Sequence, residues 1–137
     1  MLSLKSAILC VALTLNWEGA SAMEPNDDLF AIAFVIVNRA KQSHKSVCKV
    51  VYQRKQFSWT NNALDKDNHL LPQFRPRNTS QWRLSKRIAE LVLSGRIPDF
   101  TKGATHYYAD YISKPAWANK MIETGHWGVH HFLKERK

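Results

Sequence analysis

The sequence predicts one domain of the mainly α, α+β class: a helical body with a small irregular or β lobe. Three observations predict it. Two apolar runs of helical length occupy the N-terminal part, an amphipathic period begins near Thr79, and a polar stretch broken by Pro72 and Pro76 lies between them.

Residues 5–17 read as the first helix. The competing reading is an export signal, because Lys5, the apolar run from Ala7 to Leu13 and Ala20-Ser21-Ala22 imitate its charged, apolar and cleavage regions. The run is short, and Asn16, Trp17 and Glu18 are unusual before a cleavage site, which favours the helix. Gly19, Pro25 and Asn26 make residues 19–26 a loop, and Asp27 or Asp28 is expected to cap the next helix. That helix, Leu29 to Ala40, is apolar nearly all round and is therefore expected at the centre. Its Phe-Val-Ile-Val segment is β-prone, but its length and the flanking aspartates argue for helix. Ser46 to Tyr52 reads as a short helical turn. Residues 53–73 are too long for a structureless loop, so they are functional or hold short strands.

Thr79 or Ser80 starts the amphipathic helix, with Trp82, Ile88, Leu91 and Val92 near one face, and Gly95 ends it as a left-handed cap. Ala104 to Tyr108 reads as a short strand, of whose two tyrosines one faces the core. Trp117 to Thr124 reads as a further short helix closed by Gly125, and Lys134 to Lys137 as a frayed charged tail. Trp82 and Trp117, on helical patterns, are expected in the core; Trp59 and Trp127, in loops, are expected at the surface.

A length of 137 residues fits one domain spanning 1–137, and a 45% hydrophobic share suffices for its core. No stretch is long enough for a transmembrane span. The net charge of +9 draws the protein to polyanions, whether nucleic acid, anionic membrane or the acidic polymers of a bacterial envelope. Cys10 and Cys48 both adjoin apolar residues, so buried thiols are the default and a single disulfide is the alternative in an oxidising compartment.

Glu18 is the leading candidate for chemistry. Beside Leu15 and Trp17 its charged form is expected to lose hydration, and a carboxyl kept protonated near neutral pH can act as a general acid. The six histidines fall in no metal-ligand spacing, so His126, His130 and His131 read as a histidine-rich surface turn and no metal is expected. There is no nucleophile elbow and no phosphate-cradling glycine loop, so no cofactor is implied.

Several segments, in order, resemble a cell-wall hydrolase family that includes the spore-cortex-lytic enzymes and related phage lysins. Cys10-Val-Ala-Leu with Glu18 resembles the family's helix ending in a Glu-Ala-Arg signature. Ala31-Ile-Ala-Phe-Val-Ile-Val-Asn38-Arg39 is similar to its Ala-Val-Ala-x-Val-x-x-Asn-Arg helix. The likeness continues through Val47 to Gln53, Gln56-Phe57-Ser58-Trp59, Gly103-Ala104-Thr105-His106-Tyr107-Tyr108, Pro115-Ala116-Trp117 and Gly128-Val129-His130-His131-Phe132, so it covers almost the whole chain. The chain departs from the pattern at Gly19-Ala20, where the family shows Ala-Arg and a second acidic residue soon after.

The resemblance implies a lysozyme-like domain that cleaves the glycan strands of peptidoglycan between N-acetylmuramic acid and N-acetylglucosamine. Glu18 would be the catalytic acid. Gln56, Ser58 and Trp59 would line one side of the groove and Thr105, His106 and Tyr107 the other. A glycosidase normally uses two carboxylates. Glu24 is the nearest second acid, with Asp110 and Glu123 more remote. One carboxylate suffices if the muramic acid's own 6-hydroxyl attacks, as in a lytic transglycosylase. The implied partner is the glycan strand, bound by a monomer in peripheral contact with the anionic envelope through residues such as Lys41, Lys45, Lys49, Arg54 and Lys55, without specific nucleic-acid recognition. The host is a phage or a bacterium, and the place of action is the wall. Two alternatives stay open: a catalytically inactive wall-binding relative, and a small basic nucleic-acid-binding module.

Overall fold

The computed structural model describes residues 2–3, 6–18, 26–53 and 57–136. Gln56, Glu24, Gly19-Ala20, the Ala20–Ala22 segment, Arg54 and Lys55 lie outside them.

Helix α1, Ala7–Glu18, forms because its first nine residues carry no charge and almost no hydroxyl groups to compete for the backbone. Cys10 through Leu15 are all buried, so the helix runs through the interior. It lies against the amphipathic α5 (Ser80–Leu93), α3 (Val47–Tyr52) and α2 (Asp27–Ser43). Helix α2 is a helix and not a strand, and Leu29 and Ala31–Ile36 are buried along it. Its N-cap is Asn26, and Asp27 and Asp28 sit in the first turn, so the expected aspartate cap is corrected by one turn position. There both acids face the positive end of the helix dipole.

Capping sets the shorter helices. Ser46 Oγ accepts the Lys49 N–H at 3.2 Å to start α3, and Thr79 Oγ1 accepts the Trp82 N–H at 3.1 Å to start α5. Ser85, Ile88, Ala89 and Val92 of α5 face the core, and Gly95 follows the helix with φ of 76°, as expected. Between α3 and α5 lie a one-turn α4 (Thr60–Ala63), a 3₁₀ turn (Pro72–Phe74) and β2 (His69–Leu70), which pairs with β1 (Leu2–Ser3). The polar stretch thus holds a short strand, as one of its two readings required. Each fully buried Leu, Ile or Phe side chain of this interior contributes about 1.5–3 kcal/mol over exposure. Among the described residues no helix is long and apolar enough to cross a membrane.

The β lobe is a three-stranded antiparallel sheet in the order β3 (His106–Ala109), β5 (His130–Glu135), β4 (Met121–Trp127). It corrects two expectations. The Trp117–Thr124 helix is a 3₁₀ turn over Ala116–Lys120 followed by strand, and Lys134 and Glu135 belong to β5, not to a frayed tail. Ala, Lys, Met and Glu favour helix locally, but pairing of Met121–Glu123 with Leu133–Glu135 satisfies both backbones at once. Gly125 lies at the register shift of β4, where any Cβ would run into the Trp127 ring. Gly128 turns the β4–β5 hairpin with φ of 59°, and a Cβ there would sit 2.7 Å from Asp28 Cγ, so the hairpin rests on the start of α2.

A disulfide joins Cys10 in α1 to Cys48 in α3, with Cα atoms 5.5 Å apart. The default of two free thiols is therefore corrected. Facing helices bring together residues 38 positions apart.

Candidate active site

Glu18 ends α1, where the apolar helix leaves the interior and its last turn reaches a cleft. The turn that carries Ser58 faces it, closed by the Thr60 N–H and hydroxyl, both donating to Phe57 O. Phe57 is buried and anchors that turn, so Ser58 is held outward. The Ser58 N–H donates to Glu18 Oε1 at 2.9 Å and its Oγ–H to Oε2 at 2.7 Å. Both carboxylate oxygens are thereby oriented by one residue.

The cleft has a volume of about 310 Å³ and is lined by Trp17, Glu18, Ser58, Trp59, Asn62 and Phe74. Trp17 is 40% exposed and meets Phe74 edge-on at 5.8 Å, so two aromatic rings form one wall. Apolar ring faces of this kind suit the C–H faces of sugars. Trp59 is corrected from a surface residue to a buried one: it is 7% exposed, and its indole N–H donates to Thr14 Oγ1 at 3.1 Å inside the helical body. It forms the floor of the cleft.

Tyr107 stands on the face of the sheet that packs against Phe57, the residue before Ser58. Its ring lies among Phe57, His130 and Phe132, while Tyr108 points to the opposite face against His131 and Trp117, as strand alternation requires. Burial, and then the Glu18 charge, push the Tyr107 phenol above its ordinary range, and Arg39 opposes them. Tyr107 is thus held as a neutral phenol that feels the charges of both groups. Burial also lowers the Arg39 pKa, with Tyr107 acting against it. The Arg39 guanidinium lies 5.2 Å from the Phe57 ring centroid, and its Nε–H donates to Thr105 O. Next to it, Asn38 donates to Asp99 Oδ2 and to Ala104 O, both at 2.9 Å. Burial alone would raise the Asp99 pKa, but Thr101, Asn38 and Gly103 donors outweigh it and hold the carboxyl below its usual value. The Asn38-Arg39 pair of α2 therefore fixes the loop that delivers Tyr107. That pair stood in the sequence pattern without an assigned role, and nothing local indicated that it would meet residues 99–105.

The remaining expected residues are dispersed. Thr105 is buried, bonds His106 Nδ1 through its hydroxyl at 2.9 Å, and lines a different depression with Asn38 and Lys41. His106 faces Trp117 at 5.4 Å, and burial, then Arg39, lower its pKa. Trp117 is corrected from core to surface, with 41% exposure; Trp82 is half-buried under Lys86, and Trp127 is half-buried against Phe100 and Phe132. The two remote acids are engaged elsewhere: Asp110 with His126 at 2.9 Å and Glu123 with His131 at 3.0 Å, neither lining the cleft. His130 is buried beside Asp28 at 3.9 Å, so the histidine-rich turn is only partly a surface feature.

Among the described residues, only Asp65, Asp67 and His69 bring three ligand-type atoms together. Asp65 Oδ1 already accepts the Asp67 and His69 N–H groups, so this is the internal bonding of the turn that starts β2.

The sequence model of the Cell Wall Hydrolase family matches residues 23–133. No curated protein and no solved structure matches the chain. The matched segment begins after Glu18 and contains Ser58, Arg39, Tyr107, β3, β4 and most of β5. A match across most of the chain makes this protein a member of the Cell Wall Hydrolase family, with the peptidoglycan-hydrolysing role that the family carries.

Proposed function

We propose that this chain cleaves peptidoglycan glycan strands between N-acetylmuramic acid and N-acetylglucosamine, with Glu18 as the proton donor. The observation that carries the reading is the carboxylate itself: it lies in an aromatic-walled cleft with both oxygens oriented by Ser58. Protonated Glu18 gives its proton to the glycosidic oxygen as that bond breaks. The 6-hydroxyl of the muramic residue attacks the anomeric carbon and returns its proton to the Glu18 carboxylate. The product carries a 1,6-anhydro bridge, and no proton is gained or lost. General acid–base help of this kind contributes roughly 10²–10⁴-fold in rate. The Tyr107 hydroxyl, adjacent in charge to Glu18 and Arg39, steadies the charge that shifts onto Glu18. Gln56, beside Ser58 in sequence, is kept as a groove residue on the strength of the resemblance. A disulfide-bonded fold is at home in the oxidising surroundings in which walls are degraded.

A zymogram on purified bacterial walls, with wild type and Glu18→Gln, tests the role. Wild type clears the wall and the variant does not; clearing by both removes Glu18 from the mechanism, and clearing by neither defeats the proposed activity. Mass spectra of released muropeptides then separate the chemistries: anhydro ends support transglycosylation, and reducing ends point to a muramidase.

A further inference from the structure

Away from the Glu18 cleft, two depressions of about 490 and 410 Å³ meet at Glu135 and Arg136, at the end of β5. The first reaches Trp117 and Lys120; the second reaches Lys41 of α2 and takes in Lys134. Among the described residues, no carboxylate lies within ion-pair distance of Lys41, Lys120, Lys134 or Arg136. The one acid in the groove, Glu135, accepts from the neutral Gln42 side-chain amide at 3.5 Å and offsets one of these charges. Four cations against the single carboxylate of Glu135 leave the furrow with net positive charge, an arrangement that an anionic occupant relieves. At one end Trp117 is 41% exposed, yet it is held in place by His106 at 5.4 Å and by Tyr108 edge-on at 6.0 Å. A fixed, exposed indole offers a face for a sugar ring at little cost in side-chain order.

From this geometry we infer that the groove is a second wall-binding site, separate from the cleft, which takes the carboxylate-bearing stem peptides of peptidoglycan on its cations and a sugar of the same polymer on Trp117. The inference rests on the wall as the partner. Peptidoglycan supplies carboxylates and sugar rings side by side on one polymer, whereas a phosphodiester polymer supplies phosphate in place of carboxylate and is the alternative the test must exclude. The site holds the enzyme on an insoluble substrate while the cleft acts, so it governs retention and not the chemical step.

The test measures retention on insoluble walls against ionic strength, together with kcat on soluble glycan fragments. Three wall preparations are compared: native, stripped of phosphate polymers with hydrofluoric acid, and stripped with their carboxylates capped as neutral amides. Wild type is expected to bind the first two equally and the third at least about tenfold more weakly, with binding to the first two declining with salt. The Lys41→Glu, Lys134→Glu, Arg136→Glu triple variant and Trp117→Ala are each expected to lose retention on stripped walls at unchanged kcat. If the triple variant does not fold, as judged by its melting curve, Lys41→Gln with Arg136→Gln is scored in its place. Loss of binding on phosphate removal, unchanged retention of the variants, or a parallel loss of kcat overturns the inference. A wild type that cleaves nothing defeats the proposed chemistry instead, and leaves retention to be scored on its own.

Discussion

Ser58 meets Glu18 through two separate donors, and their separation makes the residue informative. The backbone N–H survives any substitution except proline, while the hydroxyl, 2.7 Å from Oε2, can be removed alone. Ser58→Ala should leave the fold unchanged and lower kcat by about tenfold, the cost of one lost orienting bond to a charged group. Steady-state kinetics on solubilised glycan check this, and an unchanged kcat would remove Ser58 from the orientation of the acid. Glu18 was singled out because an acid after an apolar helix is a local feature; Ser58 came only with the resemblance, and its contact with Glu18, 40 positions away in the chain, is decided by packing. Tyr107 was legible as one of two alternating tyrosines. Thr105 and His106 came with it from the resemblance; His106, its strand neighbour, faces the other way onto Trp117, and Thr105, before the strand begins, lines a separate depression with Asn38 and Lys41. Trp59 was misjudged because loop membership says nothing about whether an indole finds a buried acceptor such as Thr14.

The helices carry the site because each is anchored at more than one point. Helix α1 is held along its length by burial and is also tied to α3 by Cys10–Cys48. A cross-link spanning 38 residues restrains the unfolded chain by about 4 kcal/mol on loop entropy, with observed effects usually about 2–4 kcal/mol. Reduction, or Cys48→Ser with Cys10→Ala, should therefore lower the unfolding free energy by that order. Denaturant melts with and without reductant measure it, and coincident curves would show that the bond contributes nothing to stability. The five α-helices and the strand at His106 were readable from period, caps and glycine punctuation, apart from one-turn α4. The β4–β5 hairpin was not readable, since Met121–Glu123 has helix-forming composition and becomes strand only because β5 lies alongside.

Stability of the whole molecule should depend on pH through its buried histidines. His130 is lowered below 6.5 chiefly by burial, with Asp110 raising and His126 lowering it further, and Asp28 lies 3.9 Å away. His106 is also lowered, by burial and then by Arg39. A histidine with a depressed folded pKa takes up its proton first in the unfolded chain. Its stabilising effect is therefore complete above the ordinary value and is lost as pH falls from there through the folded value. Asp28, raised by burial, acts in the opposite direction because the native state holds its proton more tightly. Unfolding free energy measured from about pH 7 to about pH 5 should fall, and His130→Gln should flatten that slope. A slope unchanged by the substitution would show that His130 titrates alike in both states.

The sequence by itself determined the class of the molecule, most of its helices, its basic charge, and the acid at the end of the first helix. These follow from spacing and composition, which act over a few residues and need no partner. Only the tertiary structure decided which distant segments meet: Cys10 with Cys48, Asn38-Arg39 with the loop before β3, Gly128 with Asp28, and the cations of Lys41 and Arg136 along one furrow. Those pairings depend on how buried helices and a C-terminal sheet pack in three dimensions. No local pattern encodes that, because each partner satisfies the other's charge, hydrogen bond or volume only once both are in place.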